Sequence, residues 1–470
     1  MRLKDVTEFC PAYTGATRSD AVAFVPMEAL RYDCITQQEI PFAEARGKYT
    51  FFADGDLLFA KVTPCFENGN IAVATGLKGG IGFGSSEIFV LRAKPGLNNR
   101  YLFYVVQASP FLDGGCATMC GVGGLKRMSP LFPRTFEWEI PSEKAQKEIV
   151  AYLDEKAAAI DARVAVLEKK LAAYRRLKAS VINRAVTRGV PGWGAGLGLG
   201  ERDDRDHRDE RDESHETLAT HCRAVRGAKA PKRRVPDVPE VSEVPCRGRP
   251  VNRTLRDSGV DWIGNIPEGW GVAHLKRLTK KIGSGKTPAG GAEVYGAEGV
   301  MFLRSQNVYN DGLMLNDVAF ITPLIDLEMS STRVFAGDVL LNITGGSIGR
   351  CCVYTRQEHA NVNQHVCIIR ADTKRAHDAF IKYFWNSLGQ VYLRLSQLGG
   401  NRESLNFEQI GNVLFPVPPL PEQRAIADYL DAECAKIDKV AGLVTREIEL
   451  YRKLKRSLIN EVVTGKQKVA

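Results

Sequence analysis

The sequence predicts two α/β (α+β) globular domains, each followed by a long helix, with the two helices paired as an antiparallel coiled coil of pseudo-twofold symmetry. Three observations carry this expectation. Residues 141–187 align with residues 418–464 without a gap at a constant offset of 277, and 18 of the 47 positions are identical. Those identities extend well beyond the apolar positions, which marks a duplication rather than two unrelated surface helices. Both copies carry an apolar heptad seam. The segments preceding them share one plan of short β-rich runs, glycine turns and an amphipathic helix.

Residues 1–140 form the first domain. The runs AFVPM, DLLFAKV and IFVLRA read as strands, separated by turns at Glu67–Asn70 and Lys78–Gly80. One amphipathic helix is expected near residues 99–110. Residues 141–189 form the first spacer helix, entered at Pro141 and ended by Gly189, Pro191 and Gly192. Its seam runs Leu153, Ala157, Ile160, Val164, Leu167, Leu171, Tyr174. In the second spacer helix, residues 418–466, the seam runs Leu430, Cys434, Ile437, Ala441, Val444, Ile448, Tyr451. Between these positions Lys169, Lys170, Arg175, Arg176, Lys453 and Lys455 suit a solvated face. At 1.5 Å per residue each helix is about 50 Å long. Neither helix can bury its stripe alone, so each is expected to pack on the other copy.

Residues 190–256 differ in kind. A glycine-rich start gives way to ERDDRDHRDERDESHE and then to a basic, proline-rich stretch. No apolar period runs through them and the charge alternates in sign, the composition of a disordered charged linker. A nucleic-acid-binding tail at Lys229–Arg234 is the alternative reading. Residues 257–417 then repeat the plan of the first domain. Val300–Leu303 corresponds to Val22–Val25, Gly337–Leu340 to Gly55–Leu58, a helix at 378–394 to the one near 99–110, and Gly399–Arg402 to Gly123–Lys126.

Composition bounds the function. A net charge of +9 permits an anionic partner without demanding one. The 11 cysteines are odd in number and scattered, several within apolar runs, as in a cytoplasmic protein with reduced thiols. No apolar run approaches the roughly 18 residues of a membrane span, and MRLKDVTEF is no secretory signal. Cys116 and Cys120 have no second pair or histidine cluster to complete a zinc site, so no metal is expected. Ile282–Thr287 imitates a phosphate loop, but Lys280 stands where the signature needs glycine and Pro288 follows. Gly80–Gly84 leads into a strand rather than a helix, so it is no dinucleotide fingerprint. No Asn-Pro-Pro-aromatic motif, paired-carboxylate nuclease signature or serine nucleophile elbow is found. The expectation is a non-catalytic protein with no catalytic residues.

The motifs FAKVTPCFENGN (59–70), DSGVDWIGNIPEGW (257–270), GDVLLNITGGSIGR (337–350), ANVNQHVCIIR (360–370) and SLNFEQIGNVLFPVPPLPEQRAIADYLD (404–431) follow in this order, with the duplicated helices. In this set the chain resembles the specificity (S) subunit of type I restriction–modification systems, over nearly its whole length outside residues 190–250. The first half departs from the second in having no counterpart of DWIGNIPEGW, since Met1–Lys4 already aligns near His274–Lys276. The linker is also longer than such a junction needs.

The resemblance implies two target-recognition domains, each reading one half of a split, asymmetric site in double-stranded DNA, with the helices as an antiparallel spacer. It also implies two methyltransferase subunits docked on this chain and motor–nuclease subunits joining the complex. S-adenosylmethionine, ATP and Mg would belong to those partners, the chain itself holding no cofactor. Domains related by an antiparallel pair share the dyad of a DNA duplex, so each is expected to approach the same groove about one helical turn, roughly 34 Å, apart. Phosphate contacts are expected from lysine and arginine, and base reading from amides and guanidiniums. Candidates in the first domain are Lys61, Asn68, Asn70, Ser85, Ser86, Lys126 and Arg127. In the second they are Asn342, Thr344, Ser347, Arg350, Asn363, Gln364, His365, Asn401 and Arg402. The competing reading is a non-catalytic coiled-coil adaptor joining two protein-binding modules. Salt separates the two, because a DNA reader loses affinity steeply as salt rises.

Overall fold

The computed structural model describes residues 1–16, 21–121, 124–191, 193, 253–397 and 404–469. The chain divides into two compact units. The first comprises Met1–Tyr174 with Lys439–Ala470, and the second Arg175–Asp438. Each therefore contains one domain and a part of both long helices, rather than one domain and its own helix. The tail Lys229–Arg234 and most of the 190–256 linker lie outside the described residues.

In the first unit two four-stranded sheets face each other. One has the order Thr7–Phe9, Ile88–Ala93, Leu57–Ala60, Ile71–Val73, antiparallel throughout. The other has the order Gln38–Pro41, Ala21–Val25, Ile81–Gly84, Thr50–Ala53, with one parallel pair at its centre. The alternation of side chains along a strand explains the layering. Leu57 and Phe59 point into a core shared with helices Asn99–Val105 and Ser109–Ala117. Leu58 points the other way, into the inter-sheet core with Val25, Phe52 and Val90. With both faces covered, Leu57–Ala60 is buried at every residue, hence its unbroken apolar sequence.

The second unit repeats this. Its sheets have the orders Thr279–Ser284, Val366–Ala371, Val339–Asn342, Cys351–Val353 and Ala319–Ile321, Val300–Leu303, Ala360–Val362, Arg333–Val334. Val339 and Leu341 face the helix layer, and Leu340 faces Leu303, Val334 and Val362. Cys351, Cys352 and Cys367 fill these cores as free thiols, and burial pushes Cys352 and Cys367 up to about 12. Cys34, Cys116 and Cys120 are instead exposed.

The duplication extends to polar atoms. Asp56, buried, accepts from Nε and Nη2 of Arg92 at 2.8 and 2.7 Å and from the Ala53 N–H at 2.7 Å. Asp338 does the same with Arg370 at 2.7 Å and with Phe335 N–H at 2.8 Å. The glycines preceding them, Gly55 and Gly337, both have φ near +90°, which a side chain would strain. The aligned glutamines Gln146 and Gln423 are fully buried and span domain and helix. Gln146 accepts from Asn98 N–H and donates to Gly96 and Pro141 carbonyls, and Gln423 accepts from His377 N–H and donates to Arg375 and Pro418 carbonyls.

The single helices expected near 99–110 and at 378–394 are each two. Asn99–Val105 is followed by Ser109–Ala117, and Asp378–Trp385 by Leu388–Gln397. Pro110 opens the second piece in one unit, and Ser387 Oγ bonds back to Tyr383 O at 2.8 Å in the other. Amphipathic periodicity carried through both breaks.

The first long helix spans Glu143–Arg188 and the second Leu420–Val463, 46 and 44 residues. They are thus about 65–70 Å long at 1.5 Å per residue, longer than the seam alone indicated. In the first unit Leu153 packs in one cluster with Ile459 and Val462, Asp161 meets Lys455, and Leu167 packs with Val444 and Ile448. Numbers rise on one helix as they fall on the other, so the pair is antiparallel. The seam residues Val164, Leu171, Tyr174 and Tyr451 surround this last cluster. In the second unit Leu430 and Cys434 share a core with Ile182 and Val186. Leu153 and Leu430 therefore sit in the domain cores, while Ile160 and Ile437 are half-buried. Lys169, Lys170, Arg175, Arg176 and Lys453 are exposed as expected, but Lys455 is buried, against the expected solvated face. Among the described residues no helix is long and apolar enough to cross a membrane.

Candidate nucleic-acid interface

In each unit the loops leaving the central strands gather at one end of the sheet. In the first unit strand Leu57–Ala60 runs into residues 61–70, and Ser85–Glu87 leads into Ile88–Ala93. Arg127 pairs with both Cys120 and Val62. Lys61 N–H donates to Glu87 O at 3.0 Å, and Met128 N–H to Lys61 O at 2.8 Å. Thr63 ties the same loops, its Oγ1 accepting from Lys126 N–H at 2.9 Å and donating to Gly124 O at 3.0 Å.

Glu87 organises the charges of this cluster. Arg127 donates to it through Nε and Nη2 at 3.0 and 2.7 Å, and Lys61 Nζ lies 3.9 Å away. The Arg127 hydrogen bond and the Lys61 charge outweigh partial burial and hold the Glu87 carboxyl below its usual range. A depressed carboxyl contributes stability that is present above its unfolded pKa and lost as pH falls through the folded one. Acidification below about pH 4 is therefore expected to loosen the pairing of Arg127 with Cys120. Faster amide exchange at Arg127, whose N–H bonds to Cys120 O at 2.9 Å, reports the release, and Glu87→Gln should show it already at neutral pH.

The structure thus brings together Lys61, Ser85, Ser86, Lys126 and Arg127 from three separate stretches. Ser86, Lys126 and Arg127 are exposed. Ser85 caps the turn, accepting from Glu87 N–H at 3.2 Å. Asn68 is exposed and Asn70 half-buried on the 61–70 loop, whose backbone folds on itself through Asn68 N–H to Pro64 O and Asn70 N–H to Cys65 O.

The second unit gathers the equivalent loops with different side chains. Thr344 Oγ1 lies 2.7 Å from His365 Nδ1, Gln364 Nε2 lies 3.2 Å from His365 Nε2, and Thr287 bonds Gln364. Ser347 donates to Thr344 O at 3.4 Å. Two candidates are not at the surface. Asn342 is fully buried and donates to Ser305 O at 2.7 Å, and Asn363 is buried and accepts from His365 N–H at 3.2 Å. Their amides shape the loops because strand ends bring uncapped backbone groups there. Arg350 lies over the Tyr309 ring at 4.5 Å and so belongs with the hairpin Val308–Leu313. Asn401 and Arg402 lie outside the described residues.

The phosphate-loop imitation has a packing explanation. A Cβ on Gly285 would fall 1.7 Å from Val362 O, so the glycine admits a neighbouring strand end. Sequence reasoning missed Glu87, Thr63 and Thr287. A search for cations and amides passes over an acid, and the two threonines act through partners far along the chain.

Residues 267–443 match the family model described as type I restriction modification DNA specificity domain. Over those residues the chain carries a type I DNA specificity domain. It is 34% identical over 152 residues to the Type I restriction enzyme EcoEI specificity subunit of Escherichia coli, a match covering 32% of this chain and 26% of that one. It is 22% identical over 207 residues to the putative MjaX specificity subunit of Methanocaldococcus jannaschii, covering 43% and 47%. The chain spans between about a quarter and a half of the length of the relatives it matches. In fold, a solved structure from work on complex assembly and conformational transition of the type I R-M system aligns with TM-score 0.62 at 16% identity, covering 99% of this chain and 97% of that one. The type I specificity domain thus contains the Thr344–His365 loop cluster, and the first unit carries the same sheet plan outside the matched residues.

Proposed function

We propose that this chain is the DNA sequence-specificity subunit of a type I restriction–modification complex. Each recognition domain reads one half of a split, asymmetric site. The chain positions two methyltransferase subunits and the motor–nuclease subunits, and is itself non-catalytic. S-adenosylmethionine, ATP and Mg serve those partners, and the complex works on DNA in the cytoplasm. One observation carries the reading: two similarly built sheets present different polar tips, Ser85-Ser86 in one and Gln364-His365 in the other. A shared scaffold with divergent tips suits two half-sites of different sequence. The unbroken long helices keep the gap between the half-sites constant. A modified base must leave the stack to reach its cofactor, and that step belongs to the methyltransferase.

The assembled complex, challenged with randomised duplexes, should enrich two short blocks separated by an invariant gap. Enrichment of a single continuous block, or of none, contradicts the reading. Lys126, exposed beside the Glu87–Arg127 pair, is assigned a phosphate contact. Lys126→Ala should weaken all duplexes alike and lower the salt slope by about one, read from titrations at several salt concentrations.

A further inference from the structure

The aligned lysines Lys178 and Lys455 occupy equivalent places in the two units. In the first unit Lys455, on the second long helix, is 9% exposed and holds Asp161 of the first helix at 2.6 and 2.8 Å. Its ammonium also lies 4.1 Å from the ring centroid of Tyr32. Tyr32 is at the tip of the hairpin Leu30–Arg31/Cys34–Ile35. In the second unit Lys178, on the first long helix, holds Asp438 of the second helix at 2.8 Å and Asp311 at 2.6 Å. Asp311 is at the tip of the hairpin Val308–Tyr309/Gly312–Leu313. Both pairs repeat at the offset of 277, since Lys178 aligns with Lys455 and Asp161 with Asp438. Only the hairpin partner differs, a ring in one unit and a carboxylate in the other.

The first hairpin is held further. Asp33 has φ +52°, in the left-handed region that aspartate tolerates better than most side chains. Arg100 ties the tip to the helix, donating to Asp33 at 2.5 and 2.7 Å and to Asp154 of the first long helix at 2.8 Å. An ion pair at an open surface contributes little. Lys455 is neither open nor a simple pair, because it joins two helices and a domain at one nearly buried nitrogen.

We propose that Lys455 and Lys178 are positioning residues, each seating one recognition domain, by its hairpin tip, on the long helix contributed by the other half of the chain. Neither lysine touches DNA. Each fixes the tilt of its reader on the helix pair and so the gap between half-sites that the chain accepts, a consequence resting on the function proposed above.

Lys455→Met and Lys178→Met in the full-length chain keep the aliphatic stem and remove the charge. The carboxylates left behind are well solvated, Asp161 at 56%, Asp438 at 47% and Asp311 at 77% exposed, so both variants should fold. Amide exchange of residues 30–35 should quicken about fivefold or more in Lys455→Met, and that of residues 308–313 in Lys178→Met, each leaving the other hairpin unchanged. Lys→Arg at either position should restore slow exchange. On duplexes whose gap is one base pair too long or too short, the double Met variant should lose about tenfold of the wild-type discrimination, with nonspecific affinity unchanged. Unaltered hairpin exchange in the Met variants overturns the seating role, and intact gap discrimination despite faster exchange overturns its bearing on DNA reading. If the wild-type complex binds no duplex specifically, the proposed function fails, and exchange alone decides whether the lysines seat the hairpins.

Discussion

Asp338→Ala is expected to destabilise the second unit by about 3 kcal/mol. Asp338 is 1% exposed and neutralises Arg370 through two parallel hydrogen bonds while capping Phe335 N–H. Truncation leaves that N–H without its partner and a guanidinium packed over the Phe335 ring at 4.9 Å without its counter-charge. Arg370 keeps 32% exposure, so water compensates part of the loss, which sets the figure at the lower end for a buried pair. Asp338→Asn retains an acceptor for the N–H and should cost less. Urea unfolding read by amide exchange should show earlier opening in residues 279–371 and unchanged protection in the first unit, and Asp56→Ala should give the mirror result. Equal protection in wild type and Asp338→Ala would show that the Asp–Arg pair does not brace the sheet.

Deleting residues 441–447 from the second long helix is expected to abolish specific DNA binding, leaving a nonspecific component about a thousandfold weaker. The helix is anchored at both ends, through Ile426 and Leu430 in the core of the second unit and through Ile459 and Val462 in that of the first. Seven residues are about 10 Å of helix, so neither a side-chain rotation nor a local bend keeps both anchors. Lys455 also leaves Asp161. A matched deletion of residues 168–174, which face this stretch, should restore pairing and the stability lost with it. Retained specificity in the single deletion would mean that the helices do not act as a pair.

The helix duplication was legible because apolar periodicity and sequence identity are local signals that survive without knowing the partner. It also foretold polar contacts it could not explain. The YLD repeat places Asp154 and Asp431 where Tyr104 and Tyr383 hydroxyls donate to them at 2.6 and 2.5 Å. The central strands were legible for the same reason, since LLFA and VLLN lie between two cores and need no alternation. Lys455 was misplaced because a helical wheel accounts for one neighbouring helix, and the third partner, Tyr32, comes from a hairpin more than four hundred residues away. Asn342 and Asn363 resembled base-reading amides because sequence records a side chain's chemistry and not its direction. Their direction follows from strand ends that leave backbone groups to be satisfied. Glu87 was overlooked for the opposite reason: a search for phosphate-binding cations and base-reading amides passes over an acid until Arg127 and Lys61 are seen to neutralise it.

On the proposed function, this chain chooses the DNA sequence on which partner enzymes act. Sequencing base methylation across the genome of a host with and without the intact chain tests it most directly. One split motif, methylated once on each strand at a fixed gap, should disappear when the chain is removed and return when it is restored. A methylation pattern unchanged by its loss would show that the chain does not choose the site.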